Sequence, residues 1–294
     1  MNLENYLPPS IYTRLAARPG VQKILANTGW MTLEKVMRLG LGLVVSVFMA
    51  RYLGPRDFGI LSYAFSVTGF LGTFAYLGLS GIVVRDIVKH PDETGSLMGS
   101  VFALKMIGAL LGYGVIVSLA LLGHPSSVES WVLIITGALL LFQPMEIIDL
   151  WFQSRTESKY PVFGKGLAFL LASAGKITLV FVGASVLAFA AVTLTEFVLA
   201  FFLLLATYVY KGQSIRAWKF QGSKMLGLLR QSWILILSGF LGLVYLKIDQ
   251  IMLRWMVGAE EVGIYSVAVR FSEAWYFIPS VIAVSVFPTL VEAR

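Results

Sequence analysis

Ionisable side chains lie inside long apolar stretches of this sequence, where an unpaired charge is costly. A charged residue in a membrane-spanning helix costs about 2.5–3.5 kcal/mol on insertion scales, so it usually faces a wet cavity or a partner charge. Glu34 and Arg38 are spaced i, i+4 and can pair on one helix face, and Arg270 and Glu273 are spaced i, i+3. The charges therefore predict a polar path through the membrane.

The two signs of charge suit different ligands. Arginine offers a two-pronged donor to phosphate and lysine a mobile point charge, so the basic residues are candidate contacts to an anionic substrate. Carboxylates suit the coupling of a proton or Na⁺ or the control of conformation. Snorkelling to the surface and interhelical ion pairs are the alternative roles. The basic candidates are Lys35, Arg38, Lys105, Lys176 and Arg270, and the acidic ones Glu34, Glu146, Asp149, Asp249 and Glu273.

Composition indicates an integral membrane protein. The chain is 57% apolar and only 13% charged, with a mean hydropathy of +0.80, whereas soluble domains are nearer 45–50% apolar and about 25% charged. It has no cysteine and two histidines, so we expect neither disulfides nor a metal site. The net charge of +7 comes without a Lys/Arg run, which argues against nucleic-acid binding. No catalytic or ATP-binding motif is present, so we expect a secondary transporter rather than an enzyme, with no cofactor beyond a proton or Na⁺ gradient.

Apolar runs near 20 residues long predict an all-α, polytopic protein with about eight spanning helices. Lys and Arg concentrate in alternate connections, most densely in residues 211–231, which the positive-inside rule assigns to the cytoplasm together with the N-terminus. The alternation of tryptophan, phenylalanine and leucine with basic residues in that connection predicts an amphipathic interfacial segment. The predicted helices are roughly 27–50, 58–79, 97–122, 129–150, 164–184, 187–210, 232–256 and 262–290.

A motif at residues 49–64 returns at 252–268, about 204 residues later, which is typical of transporters built from two pseudo-symmetric halves. The repeat predicts a cytoplasmic segment 1–26, a six-helix lobe 27–210, a linker 211–231, and two helices of an incomplete second lobe in 232–294. We accordingly expect a C-terminally truncated fragment; the alternative is that another chain supplies the second lobe. The repeated pairs are Met49/Met252, Arg51/Arg254, Gly54/Gly258, Asp57/Glu261, Gly59/Gly263, Ile60/Ile264, Ser62/Ser266 and Ala64/Ala268.

Several motifs resemble one family, the Wzx-type polysaccharide or O-antigen flippases of the multidrug/oligosaccharidyl-lipid/polysaccharide exporter superfamily. The resemblance covers nearly the whole chain. The residues that carry it are Ala50-Arg51-Tyr52-Leu53-Gly54-Pro55 with Phe58-Gly59, Gly78-Leu79, Val84-Arg85-Asp86, Phe142-Gln143-Pro144, Glu146-Ile147-Ile148-Asp149, Trp151-Phe152-Gln153-Ser154, Ile248-Asp249-Gln250-Ile251-Met252-Leu253, Val262-Gly263-Ile264-Tyr265-Ser266, Ser272-Glu273-Ala274-Trp275 and Phe287-Pro288.

This resemblance implies the flipping of undecaprenyl-diphosphate-linked oligosaccharide across a bacterial inner membrane for polysaccharide export. The partners it implies are membrane lipids, the lipid-linked glycan, and a polysaccharide polymerase or glycosyltransferases. Arg38, Arg270, Lys105 and Lys176 would then contact the diphosphate or acidic sugars. Three alternatives stay open: a cation/drug antiporter of the same superfamily, an inactive fragment with a scaffolding role, and a membrane polymerase or ligase, which the short outer loops disfavour.

Overall fold

The computed structural model describes residues 19–123 and 127–275, and all regular secondary structure in these residues is helical. This confirms the prediction of an all-α, polytopic membrane protein. Residues 1–18 of the predicted cytoplasmic segment and residues 276–290 of the last predicted helix lie outside the described residues. Three short 3₁₀ segments, Pro91–Glu93, Ala138–Met145 and Ile215–Ala217, separate longer α-helices. The α-helices are α1 Pro19–Tyr76, α2 Ser80–Lys89, α3 Thr94–Leu122, α4 Val128–Gly137, α5 Glu146–Ser154, α6 Lys159–Val182, α7 Val186–Tyr210, α8 Gly222–Met256 and α9 Ala259–Ala274.

Helix α1 contains the first two predicted membrane crossings. A straight helix of 58 residues would be about 87 Å long, far more than a bilayer needs. The helix is interrupted at Gly54, whose φ of 70° and ψ of 175° are not helical. Pro55 follows and suits the first turn of a new helix, because its missing N–H would have had no partner there. The repeated motif therefore marks the turn between two crossings.

Six stretches of the described residues are long and apolar enough to cross a membrane. The first, Ala26–Lys89, holds both predicted crossings of α1 together with α2. The third, Val128–Ser154, is one predicted crossing built from α4, a 3₁₀ segment and α5. The others are Pro91–Leu122, Lys159–Val182, Val186–Tyr210 and Gly222–Met256.

Two apolar clusters hold the helices together. One is centred on Trp151, Phe152 and Tyr208, and the other on Phe58, Leu61 and Phe189. Many large apolar side chains outside these clusters are exposed, as expected for helices that face lipid, whose tails are as apolar as the side chains themselves. Examples are Leu111, Leu122, Phe181, Ile234 and Leu241.

Helix α8 begins at Gly222, about ten residues before the predicted start near 232. The reason is that Leu228 and Ser232 are buried, and Leu228 packs with Met225 and Leu229 in the first apolar cluster. The second half of the predicted linker is therefore part of α8. Residues 211–221, which we call the strap, contain only the short 3₁₀ segment.

The strap is held against the beginning of α3. The Lys219 amide donates a 3.0 Å hydrogen bond to the Gly95 carbonyl, and the Gln221 amide donates one of 3.1 Å to the Ser100 hydroxyl. The Trp218 ring packs against Phe102 in a tilted arrangement, with 5.5 Å between ring centroids. The strap thus ties the start of α8 to α3 through its backbone.

We expect Gly99→Ala to detach the strap. A Cβ on Gly99 would lie closer than 3.0 Å to the backbone N, C and O of Lys219, so the strap must move. Overpacking of this kind typically costs about 1–3 kcal/mol. Gly114→Ala on the same helix is the matched control, because its Cβ would meet nothing within 4 Å. Thermal unfolding of the purified protein in detergent should show a lower midpoint for Gly99→Ala alone, and equal midpoints would refute the packing role.

Candidate functional site

Arg38 connects three helices through its guanidinium group. It binds Glu34 at 3.1 Å, which confirms that this i, i+4 pair can form, and it binds Glu196 of α7 at 3.0 Å. It also donates a 3.1 Å hydrogen bond to the carbonyl oxygen of Lys165 on α6. Its guanidinium carbon lies 4.9 Å from the centre of the Phe169 ring. Arg38 therefore has its charge and its hydrogen-bonding capacity largely satisfied within the protein.

Two lysines on α6 complete this ion-pair network. Lys165 lies 2.6 Å from Asp149 and 3.5 Å from Glu34, and Lys176 lies 3.4 Å from Glu196. The network thus joins three cations to three carboxylates, and its formal charge is zero. Lys165 and Lys176 share a helix face, as their eleven-residue spacing predicts.

Lys105 is the most deeply buried charge described. Its side chain is 0% exposed and lies 2.8 Å from Glu146 of α5, which is 33% exposed. The ammonium group also lies 5.0 Å from the centre of the Tyr76 ring. A fully buried cation persists only with such partners, because desolvation otherwise favours its neutral form.

Much of this network opens onto a cavity of about 320 Å³, the first-lobe cavity. Arg38, Glu146, Asp149, Lys165 and Glu196 all line it. Gln143 adds a polar group, and most of the remaining wall is aromatic or aliphatic, namely Tyr76, Phe142, Met145, Phe197, Ala200, Phe201 and Leu204. The cavity is lined by both signs of charge.

Two further cavities meet at Arg270 of α9. One, of about 170 Å³, is lined by Lys176, Ser46 and Thr193 and is called the Lys176 cavity. The other, of about 250 Å³, is lined by Gln250, Lys247 and Glu273 and is called the Gln250 cavity. Arg270 and Phe65 line both. These two cavities therefore lie where α9 meets α1, α6, α7 and α8.

Arg270 has no carboxylate within ion-pair distance in the described part of the chain. Glu273, the expected i, i+3 partner, instead lies 2.9 Å from Lys247 of α8. The Arg270 guanidinium stacks on Phe58, 5.0 Å from the ring centre. Among the described residues Arg270 thus has an aromatic ring contact and no ion pair, and it lies beside two cavities.

The Gln250 cavity also holds neutral hydrogen-bonding groups. The Ser66 hydroxyl lies 2.7 Å from the Gln250 side-chain oxygen, and that of Ser266 lies 3.4 Å from it. The buried hydroxyl of Ser62 has no hydrogen-bond partner among the described residues, and the side-chain nitrogen Nε2 of Gln250 makes no hydrogen bond there either. Serine hydroxyls and an amide with unused capacity can bind a hydroxyl-rich ligand.

The structure groups most of the predicted site residues and leaves two apart. Glu34, Arg38, Asp149 and Lys176 belong to one network, while Lys105 and Glu146 form a pair beside it. The predicted residue Lys35 is exposed, without an ion pair in the described residues. Asp249 accepts a hydrogen bond from the Tyr265 hydroxyl and links α8 to α9.

Sequence reasoning overlooked the polar wall of Ser62, Ser66 and Ser266. Serine is too common in helices to stand out, yet Ser62 and Ser266 are a pair in the repeat and could have been found there. The acidic partners Glu129 and Glu196 were also missing from the predicted sites. In residues 19–123 and 127–275, no group of three or more His, Cys, Asp or Glu side chains could hold a metal ion.

Comparison with known proteins gives a family. The sequence pattern of the family described as polysaccharide biosynthesis protein matches residues 24–294. The succinoglycan biosynthesis transport protein ExoT of Rhizobium meliloti (strain 1021) is 28% identical over 94 residues, which are 32% of this chain and 18% of that relative. The chain thus aligns with under a fifth of this relative's length. No solved structure matches the chain.

Proposed function

Because the chain belongs to the polysaccharide biosynthesis protein family, we propose that it is part of a transporter that moves a lipid-linked oligosaccharide across the bacterial cytoplasmic membrane. Within the family we place it with the Wzx-type flippases, on the motifs quoted above. The name of its relative, a succinoglycan transport protein, supports export of a polysaccharide or its precursor. We further propose that a complete second lobe accompanies α8 and α9 in the working protein, because the repeated motif begins such a lobe.

This function is supported chiefly by Arg270, which lies between two polar cavities and has no ion-pair partner among the described residues. An undecaprenyl diphosphate has two anionic phosphates, and moving them through lipid without compensation is very costly. Arg270 and Lys176 would contact the diphosphate, with Arg270 offering a bidentate fork. The Gln250 cavity would take sugar hydroxyls, and the prenyl tail would stay in the surrounding lipid.

The paired carboxylates of the site would tune conformation or carry the coupling ion, a proton or Na⁺. Glu196 is the best placed of them, because it neutralises both Arg38 and Lys176. A cation/drug antiporter would need carboxylates free to meet a cationic substrate. Each carboxylate that lines the three cavities is already in an ion pair with Lys or Arg, so the structure offers no observation in favour of that alternative.

The function is tested by deleting the gene in its own host. We expect loss of the exported polysaccharide and accumulation of its lipid-linked oligosaccharide, measured by extraction and mass spectrometry, and restoration of both by a plasmid copy. Accumulation separates a transport defect from a defect in synthesis, which would deplete the lipid-linked intermediate. Unchanged surface polysaccharide with no accumulation would refute the proposal.

A further inference from the structure

The two copies of the repeated motif pack on each other. A Cβ on Gly59 would lie closer than 3.0 Å to the carbonyl group of Ala259, and a Cβ on Gly263 equally close to that of Pro55. Each glycine thus lies against the residue four positions before the other glycine. Such a reciprocal contact is the pattern of a two-fold axis. Only glycines permit this approach of the two backbones.

The symmetry extends along both helices. Gly54 and Gly258, which precede the two helices, both have positive φ, 70° and 126°, with extended ψ of 175° and 179°. Phe58 is 1% exposed and Val262 is 0% exposed at matching positions. One turn beyond the glycines, Ser62 and Ser266 are buried and line the Gln250 cavity. The contact between α1 and α9 at the two glycines, which we call the Gly59/Gly263 crossing, therefore closes that cavity at the end nearest Gly54.

A second contact lies at the same end. Arg254, at the end of α8, binds Glu129 at the start of α4 through two parallel hydrogen bonds of 2.7 and 2.6 Å. Bidentate pairs of this kind are among the stronger and more specific ion pairs. Arg51, the repeat partner of Arg254, is exposed and has no ion pair in the described residues. The ion pair thus joins α8 to α4, and the symmetry-related position Arg51 makes no equivalent ion pair in the described residues.

We propose that the Gly59/Gly263 crossing is a seal at the outer end of the cavity and that the Arg254–Glu129 ion pair is its latch. The seal rests on the transporter proposed above and on the predicted topology, which places the Gly54 turn outside. In this conformation the cavity is closed to the outside. Breaking the latch favours states in which α9 separates from α1, because it removes the bidentate ion pair that holds the end of α8, just before α9, against α4.

The absence of cysteine from the sequence makes a direct test practical. Single variants Ser62→Cys and Ser266→Cys would be treated in intact cells with a charged, membrane-impermeant methanethiosulfonate reagent. Val257→Cys serves as the outer reference, because Val257 is 62% exposed beside the turn. We expect Val257→Cys to react rapidly, and both serine positions to react at least about tenfold more slowly because side chains buried under the seal are reached only through rare openings.

The latch is then tested by adding Arg254→Gln to Ser266→Cys. We expect labelling about tenfold faster than in Ser266→Cys alone, and a return to slow labelling in the charge-swapped background Arg254→Glu with Glu129→Arg. Unchanged labelling in Arg254→Gln would overturn the latch. Rapid labelling of Ser266→Cys alone, or reaction of Val257→Cys only from the cytoplasmic side, would overturn the seal. Labelling needs no substrate, so its outcome is independent of the transport assay.

Discussion

Arg270→Ala is expected to abolish export while the protein still folds and inserts. Truncating one member of a buried, hydrogen-bonded charge pair typically costs about 2–5 kcal/mol, and each 1.4 kcal/mol is tenfold, so transport should fall by roughly 30-fold or more. The loss is specific to substrate, because removing Arg270 leaves no carboxylate of the described residues unpaired. Among the described residues, the interaction that this variant loses is the one with the Phe58 ring.

The measurement is polysaccharide export by each variant at matched membrane abundance. Arg216→Ala is the matched control, because Arg216 lies exposed on the strap without an ion pair in the described residues. Arg270→Lys should retain part of the activity, since lysine keeps the charge but loses the fork. Export by Arg270→Ala within about twofold of the wild type would remove Arg270 from the proposed site, since the energies above predict far more.

Glu146→Gln is expected to destabilise the protein strongly, by about 3–5 kcal/mol, because it leaves the fully buried Lys105 ammonium without its counter-charge. Lys105→Met should cost much less, since the Glu146 carboxylate it leaves behind is 33% exposed and lines the first-lobe cavity. The double variant should recover most of the loss, because it removes both charges.

The free energies of unfolding in detergent of the two single variants and the double variant give the interaction energy between Lys105 and Glu146 directly. Glu260→Gln is the control, since Glu260 is exposed on α9 and has no ion pair among the described residues. Equal losses of stability for Glu146→Gln and Lys105→Met would show that the different burial of the two charges does not determine how much each substitution costs. A double variant no better than Glu146→Gln would point instead to a packing defect.

Residue spacing predicted the contacts within a single helix, and the repeated motif predicted the turns that recur in the two halves. The Glu34–Arg38 pair follows from four-residue spacing alone, and Gly54 and Gly258 both combine a positive φ with an extended ψ because the same motif surrounds them. Partners distant in sequence could not be predicted in this way. Lys105 and Glu146 are 41 residues apart, and Arg38 and Glu196 are 158 apart, so only tertiary packing reveals these pairs.

The seal and the start of α8 could not be predicted from the sequence for the same reason, because both depend on contacts between residues distant in the chain. The sequence pairs Gly59 with Gly263, but equivalence in a repeat does not imply contact, and only the fold brings the two glycines against each other. Residues 222–231 contain charges and glycines typical of a connection. Burial of Leu228 and Ser232 against the first bundle stabilises them as helix, which overrides that local preference.

We propose that a lipid-linked glycan crosses the membrane through this protein. It is tested most directly by reconstituting the complete protein into liposomes that contain a labelled polyprenyl-diphosphate-linked oligosaccharide. The fraction of label that an added impermeant glycosidase can reach is then followed in time. We expect the protected inner pool to become reachable in wild-type liposomes and to stay protected with Arg270→Ala. A protected pool that persists equally in wild-type and empty liposomes would contradict it.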